Sequence, residues 1–251
     1  VAQTFLGVLG AAAVNHQAFF RIGSLVAGQS ECYLELMATL RQSSAADFLP
    51  KKLTLESLRA AARLCRGCDL YKNATQTVFG EGPKDATVML IGEQPGDMED
   101  RQGRPFVGPA GRLLDKALVE ARIPRDEVYV TNAVKHFKWI QRGKRRLHQK
   151  PSIRQVMACK PWLEAEIELV RPKVVVCMGA TAALSIVGRP VRITAERGKF
   201  LDADSGPAVF VTIHPSSIYR LREKAEQEKE FGRFVAELKL VERRLRRLAA
   251  A

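Results

Sequence analysis

The sequence predicts an α/β fold in which a central four-stranded parallel sheet is flanked by helices. Three observations lead there. Four short apolar runs, at residues 88–91, 128–132, 174–179 and 209–213, read as buried strands. Segments with helical spacing separate them, and strands alternating with helices argue for a parallel sheet covered on both faces. Three of the runs then hand over to polar groups: Glu93-Gln94 after the first, Asn132 at the end of the second, His214 after the fourth. Parallel strands put those ends on one side, where α/β sheets bind their ligands.

The elements follow in order. Residues 1–47 differ from the rest and read as an N-terminal extension; residues 48–251 form the domain. Residues 1–28 carry a single charge, Arg21. A signal or transit peptide lacks its charged leading region here. His16 and Cys32 lie in this stretch, with no chemistry that the sequence names. From Thr54 the pattern changes: Thr54 with Ser57 caps a helix carrying Leu55, Leu58 and Ala62, which runs into Cys65-Arg66-Gly67-Cys68. The strand at 88–91 opens a loop rich in Gly and Pro. That loop holds an acid (Glu93), an amide (Gln94), a rigid turn (Pro95-Gly96) and a ring (Phe106). An amide and a ring in one loop can read the edge and the face of a flat heterocycle. A helix over 112–121 follows, then the second strand.

Residues 133–152, AVKHFKWIQRGKRRLHQKPS, hold nine basic residues counting His and no acid, with Phe137 and Trp139 interleaved. The stretch has neither helical nor strand period and reads as a long exposed loop. A helix over 152–170 carries Cys159 and Trp162, and Pro172 stops it. After the third strand comes a helix over 180–187. Arg197-Gly198-Lys199-Phe200 reads as a turn into a strand or hairpin. A charged helix over about 223–248 ends the pattern, and its cluster at 243–247 reads as a solvated face or a DNA-adjacent tail.

Composition narrows the function classes. A formal net charge of +13 fits either plain solubility or a polyanionic partner such as nucleic acid. Five Cys, an odd count with one tight Cys65/Cys68 pair, argue against a disulfide scaffold and for a reducing compartment and a metal. No run reaches the roughly 18 apolar residues of a membrane span. The expectation from cysteine usage is the cytoplasm.

Gly92-Glu93-Gln94-Pro95-Gly96, GRPFVGPAGRLL at 103–114, Thr131-Asn132-Ala133-Val134-Lys135 and His214-Pro215-Ser216-Ser217 stand in that order. Together they resemble the ordered motifs of the uracil-DNA glycosylase superfamily, its iron–sulfur branch most of all. Gln94 and the insertion Lys144-Arg145-Arg146-Leu147-His148 resemble the X family (UdgX-like) within that branch.

The resemblance, which covers about residues 48–240, implies a substrate and a set of roles. The implied partner is uracil-containing DNA, with single strands preferred, bound by a monomer that associates with the nucleoid through that DNA. Phe106 stacks on the flipped uracil. Asn132 bonds the pyrimidine edge and rejects cytosine, whose amino group donates where uracil O4 accepts. The backbone of Gln94, Pro95 and Gly96 lines the pocket. His214 donates to uracil O2, and Ser216 holds a phosphate. Lys144, Arg145 and Arg146 are suited to DNA phosphates. His148 is either a phosphate-contacting loop residue or, as in the X family, the nucleophile that attacks C1′ and stays bonded. Glu93 then holds the other ring nitrogen, as a carboxylate does in a triad. If His148 only contacts phosphate, the protein is a turning-over glycosylase.

The iron–sulfur branch also implies a 4Fe-4S cluster. Cys65 and Cys68 have metal-ligand spacing and Cys159 lies downstream. The branch's fourth Cys is replaced by His136, and imidazole can stand in for thiolate on iron. Zinc in a Cys₃His site is the alternative. Cys177, mid-strand among Val residues, reads as a small buried apolar residue.

Overall fold

A computed structural model describes residues 43–201 and 206–250. His16, Cys32 and most of the expected N-terminal extension lie outside the described residues. The strands are β1 (Val88–Gly92), β2 (Val128–Asn132), β3 (Trp139–Arg142), β4 (Arg145–His148), β5 (Val174–Met178), β6 (Lys199–Leu201) and β7 (Ala208–Thr212). The helices are α1 (Leu55–Ala62), α2 (Asp97–Gln102), α3 (Pro109–Ala121), α4 (Ile153–Val170), α5 (Ala180–Val187), α6 (Ile193–Glu196), α7 (Pro215–Tyr219) and α8 (Lys224–Ala250). None is long and apolar enough to cross a membrane.

The main sheet has the order β2-β1-β5-β7-β6. Its first four strands are mutually parallel, as expected, and β6 adds a fifth, antiparallel to β7. The sheet is therefore wider than the four strands expected. The turn at Arg197-Gly198 makes the extra edge, with Gly198 at φ +77°, a backbone glycine adopts without strain.

Helices cover both faces, which is why the strands read as unbroken apolar runs. Val88, Leu90, Val130 and Val176 pack with Leu114 and Leu118 of α3 and with Phe234 and Leu238 of α8. Their neighbours Met89, Ile91, Tyr129, Val175 and Cys177 face the other way, onto Leu163 of α4 and Ala182 and Ala183 of α5. Cys177 is thus core. A third cluster joins Leu58, Ala62, Cys65, Cys159 and Trp162. Ala45 is fully buried in it, so the core begins ahead of the boundary expected at residue 47.

Residues 133–152 depart furthest from expectation. Where a long loop is expected, β3 and β4 form an antiparallel hairpin that pairs Trp139 with His148 across a turn at Gly143, φ +57°. A two-stranded hairpin is marginal by itself. Here it is held from outside, and that support leaves no period in its own sequence. Trp139 Nε1 donates to Asn73 O at 2.8 Å. Arg146, whose side chain is 12% exposed, ion-pairs with Asp97 and, at 2.7 Å, with Asp100. Its guanidinium lies 5.5 Å from the Phe137 ring centroid and 5.3 Å from that of Trp139. Arg146, expected on a DNA phosphate, is spent as the strut of the hairpin.

Beneath the carboxyl ends of β1 and β2 lies a buried ion pair. Lys135 Nζ and Glu166 Oε2 are 2.5 Å apart, both side chains fully buried. Tyr129, Thr131 and the backbone N–H of Gly80 also donate to Glu166. Lys135 Nζ donates to Asn132 O at 2.8 Å and so braces the end of β2. Breaking such a pair from one side strands a charge in the core. Glu166→Gln is expected to cost about 3–5 kcal/mol in urea unfolding; an unmoved midpoint would show the ammonium to be well solvated without its counter-ion.

Candidate active site

The carboxyl ends of β1, β2, β5 and β7 open into one cleft of about 650 Å³. Glu93, Gln94, Pro95, Gly96, Phe106, Asn132, His148, His214 and Ser216 all line it. Four separated pieces of chain therefore meet, and the fourth arrives on the hairpin rather than on a free loop.

Gly92 shows how closely these groups converge. A Cβ there would lie 2.3 Å from Asn132 Oδ1, 3.0 Å from the Phe106 ring and 3.3 Å from His214 Nε2. The missing side chain lets three groups crowd the floor of one slot. Phe106 takes φ +57°, an outlier for a bulky residue that costs about 1–3 kcal/mol and is kept where structure over-determines it. Two features hold it there. Gly111 leaves room for the Phe106 carbonyl, which a Cβ would approach to 1.7 Å. Glu99 accepts the backbone N–H of Gly108 at 2.8 Å, fixing the loop from below.

His214 caps the short α7. Its Nδ1 accepts the backbone N–H of Ser216 at 3.1 Å, so the hydrogen of the neutral ring sits on Nε2, the atom nearest the slot. Burial, reinforced by Arg220 and His148, pushes its pKa down to about 4. His214 is thus a neutral donor at physiological pH. Its ring lies 6.1 Å from that of Phe106, the planes 25° apart. Ser216 Oγ is 2.8 Å from His214 Nδ1, so the hydroxyl expected on a phosphate already has a partner. Thr212 Oγ1 donates to Glu237 Oε2 at 2.5 Å and ties the end of β7 to α8.

His148 Nε2 stands 3.4 Å from Glu93 Oε1. Burial lowers the His148 pKa below the ordinary 6.5; Arg220 acts with burial and Glu93 against it. The imidazole is therefore neutral at neutral pH and keeps a lone pair. The other Glu93 oxygen accepts from Thr181 Oγ1.

Gln94 has a use the sequence did not suggest. Its Oε1 accepts from Lys138 N at 3.0 Å, and its Nε2 donates to Lys138 O at 3.2 Å and Gln149 O at 3.0 Å. Lys138 and Gln149 flank the hairpin, so the amide clamps its base. Both ends of the side-chain amide are already engaged by the hairpin's backbone. Lys144 and Arg145 are exposed on the hairpin's tip, away from any acidic partner among the described residues.

Thr181 and Arg220 escaped the sequence reading. Both had a signal: Thr181 follows the third strand end, the one end to which no polar group was assigned, and Arg220 stands six residues after His214.

The expected metal ligands lie apart from the cleft. Among the described residues no group of three or more His, Cys, Asp or Glu side chains is arranged to hold a single metal ion. That arrangement does not supply the Cys₃His zinc site. A four-iron cluster places each ligand on a different iron and so takes ligands that stand further apart. Three features suit thiolate ligation of that kind. Cys65 and Cys159 are buried in one core cluster against which Cys68 packs. Cys65 Sγ accepts the Trp162 indole N–H and Cys159 Sγ the Lys135 backbone N–H, each at 3.3 Å. His136 is buried, with Nε2 3.0 Å from Thr77 Oγ1. Thr77 gives its hydroxyl hydrogen to Ala62 O, so His136 Nε2 must donate to it, and the lone pair is left on Nδ1.

A model of the uracil DNA glycosylase superfamily matches residues 79–239. A type-4 uracil-DNA glycosylase of Thermotoga maritima is 39% identical over 169 residues, 67% of this chain and 84% of that protein. A type-4 uracil-DNA glycosylase of Sulfurisphaera tokodaii is 33% identical over 65% of this chain and 75% of its own length. A type-5 uracil-DNA glycosylase of Pyrobaculum aerophilum is 32% identical over 65% and 76%.

Proposed function

The chain belongs to the uracil-DNA glycosylase superfamily, and from that premise we propose that it excises uracil from DNA, preferring single strands, and is captured by its own product through His148. The observation that carries this reading is the His148–Glu93 contact inside the cleft that holds Asn132, Phe106 and His214. With the Lys144–His148 insertion, that contact supports reading the chain as X-family-like within the iron–sulfur branch.

The chemistry follows from the residues. Flipping a base out of a duplex costs a few kcal/mol, and a single strand spares most of it. Exposed Lys144 and Arg145 hold phosphate, a salt-dependent attraction. Phe106 stacks on the base, worth about 1–3 kcal/mol, and Asn132 reads its edge. As the C1′–N1 bond breaks, its electron pair moves onto uracil, and His214 Nε2–H stabilises the charge at O2. The unprotonated nitrogen of His148 gives its lone pair to C1′ and forms the new C–N bond. The imidazolium sheds its remaining N–H proton to Glu93, which releases it to solvent, and the uracil anion takes one proton from solvent. One C–N bond breaks, one forms, and the proton lost by the imidazole is the one gained by uracil. Ser216 acts on His214, fixing its tautomer.

A 4Fe-4S cluster on Cys65, Cys68, Cys159 and His136 belongs to the same proposal. When bound it supplies a structural tie between the segment after α1, the residues that follow β2, and α4.

The test is a denaturing gel of the protein, a monomer in this reading, after incubation with a uracil-containing oligonucleotide. A heat-stable shifted band is expected. Release of uracil and an abasic strand with no shift would instead establish a turning-over enzyme, with His148 only contacting phosphate.

The pH dependence has a definite sign. Capture needs neutral His148, whose pKa lies below 6.5. The single-turnover rate is therefore expected to be level above neutral pH and to fall on acidification, with its midpoint under the ordinary imidazole value. A midpoint above 6.5 would mean that Glu93, not burial, dominates the ring's environment.

A further inference from the structure

We infer that Thr181 is the positioning residue that aims Glu93 at His148, making a three-membered chain Thr181–Glu93–His148 for the capture step. The inference deepens the proposed function and rests on it.

Thr181 is 4% exposed and stands in the first turn of α5, directly after β5 ends at Met178. Gly179, at φ +98° and bonded through its N–H to Thr212 O, makes the turn that brings the helix start beside the cleft. A buried hydroxyl needs a partner. Among the described residues the only one for Thr181 Oγ1 is Glu93 Oε2, and Thr181 is likewise the only hydrogen-bond donor to the Glu93 carboxylate. The carboxylate has two oxygens and two tasks. Oε2 is held by Thr181, and Oε1 faces His148 Nε2 at 3.4 Å. Nothing else fixes rotation about the last side-chain bond of Glu93, a broad torsion without sharp wells. The hydroxyl therefore decides which way Oε1 faces when the imidazolium, newly bonded to C1′, must pass on its N–H proton.

The assignment separates this residue from a packing threonine. Val has nearly the same shape and keeps the β-branch, so Thr181→Val removes the hydrogen bond and little volume. Thr181→Ser keeps the hydroxyl and loses a methyl. Misaimed catalytic groups cost about 10–100-fold. Single-turnover adduct formation on a uracil oligonucleotide should slow by that factor in Thr181→Val, while affinity for the oligonucleotide, measured by fluorescence anisotropy, stays unchanged. Thr181→Ser should restore most of the rate. Adding Thr181→Val to Glu93→Gln should slow capture little beyond Glu93→Gln alone, because residues acting as a unit are not additive.

Unchanged capture in Thr181→Val, or losses that simply multiply in the double variant, would overturn the assignment and leave capture itself intact. A Ser variant as slow as the Val variant would reduce Thr181 to packing. A wild-type protein that releases uracil with no adduct would overturn both the capture reading and this role.

Discussion

His148→Ala is expected to abolish the heat-stable protein–DNA band altogether. His148 brings an imidazole lone pair into the cleft beside Glu93, and alanine has none. Uracil release should continue, because Phe106, Asn132 and His214 are untouched and the space left by the ring admits water to C1′. The variant then turns a single event into repeated ones: free uracil and an abasic strand accumulate beyond one equivalent of protein. The readout is a denaturing gel beside a time course of released uracil. An adduct that survives the substitution would mean another nucleophile, and the proposed geometry of capture would fall with it. The hairpin should not collapse, since Arg146, Trp139 and the Gln94 clamp hold it from other positions.

His214→Ala carries the second large effect. The ring presents Nε2–H to the slot floor from a fixed tautomer, and it is kept neutral by burial. Donors aimed at developing charge are worth about 10²–10³ in rate when removed singly. Base release under single-turnover conditions should drop by that factor. Binding of the uracil oligonucleotide should change much less, because the charge on O2 grows only as the glycosidic bond breaks. Equal losses in binding and in rate would make His214 a ground-state contact and move the anion's stabilisation to the backbone of the loop after β1.

The two substitutions test different halves of one reaction. In the proposed reaction His214 acts on the leaving base and His148 on the sugar, so a His148 variant that still releases uracil and a His214 variant that releases it slowly would separate departure from capture.

Much of this was legible in the chain. Four apolar runs with helices between them dictate a parallel sheet, because strands buried on both faces have no polar side to show. The polar residues after those runs dictate the side on which a site forms, so Glu93, Asn132 and His214 could be gathered from the linear sequence alone. The Cys65/Cys68 pair was equally visible, since its spacing is local.

What the linear pattern could not express is which side chains were already spoken for. Arg146 and Gln94 read as free groups, one cationic and one amide. Asp97 and Asp100 claim the first, and the backbone at Lys138 and Gln149 claims the second. The hairpin itself is a tertiary product, since two short strands with no face of their own pair only when a neighbour supplies one. The third strand end looked bare because threonine beside glycine and alanine has no chemistry until a carboxylate 88 residues away accepts its hydrogen. Periodicity and strand-end position are properties of neighbours along the chain, so the sequence determined the sheet and the side of the cleft. Hydrogen-bond partnership depends on distance in space, so the partners of Arg146, Gln94, Ser216 and Thr181 were decided only once the chain had folded.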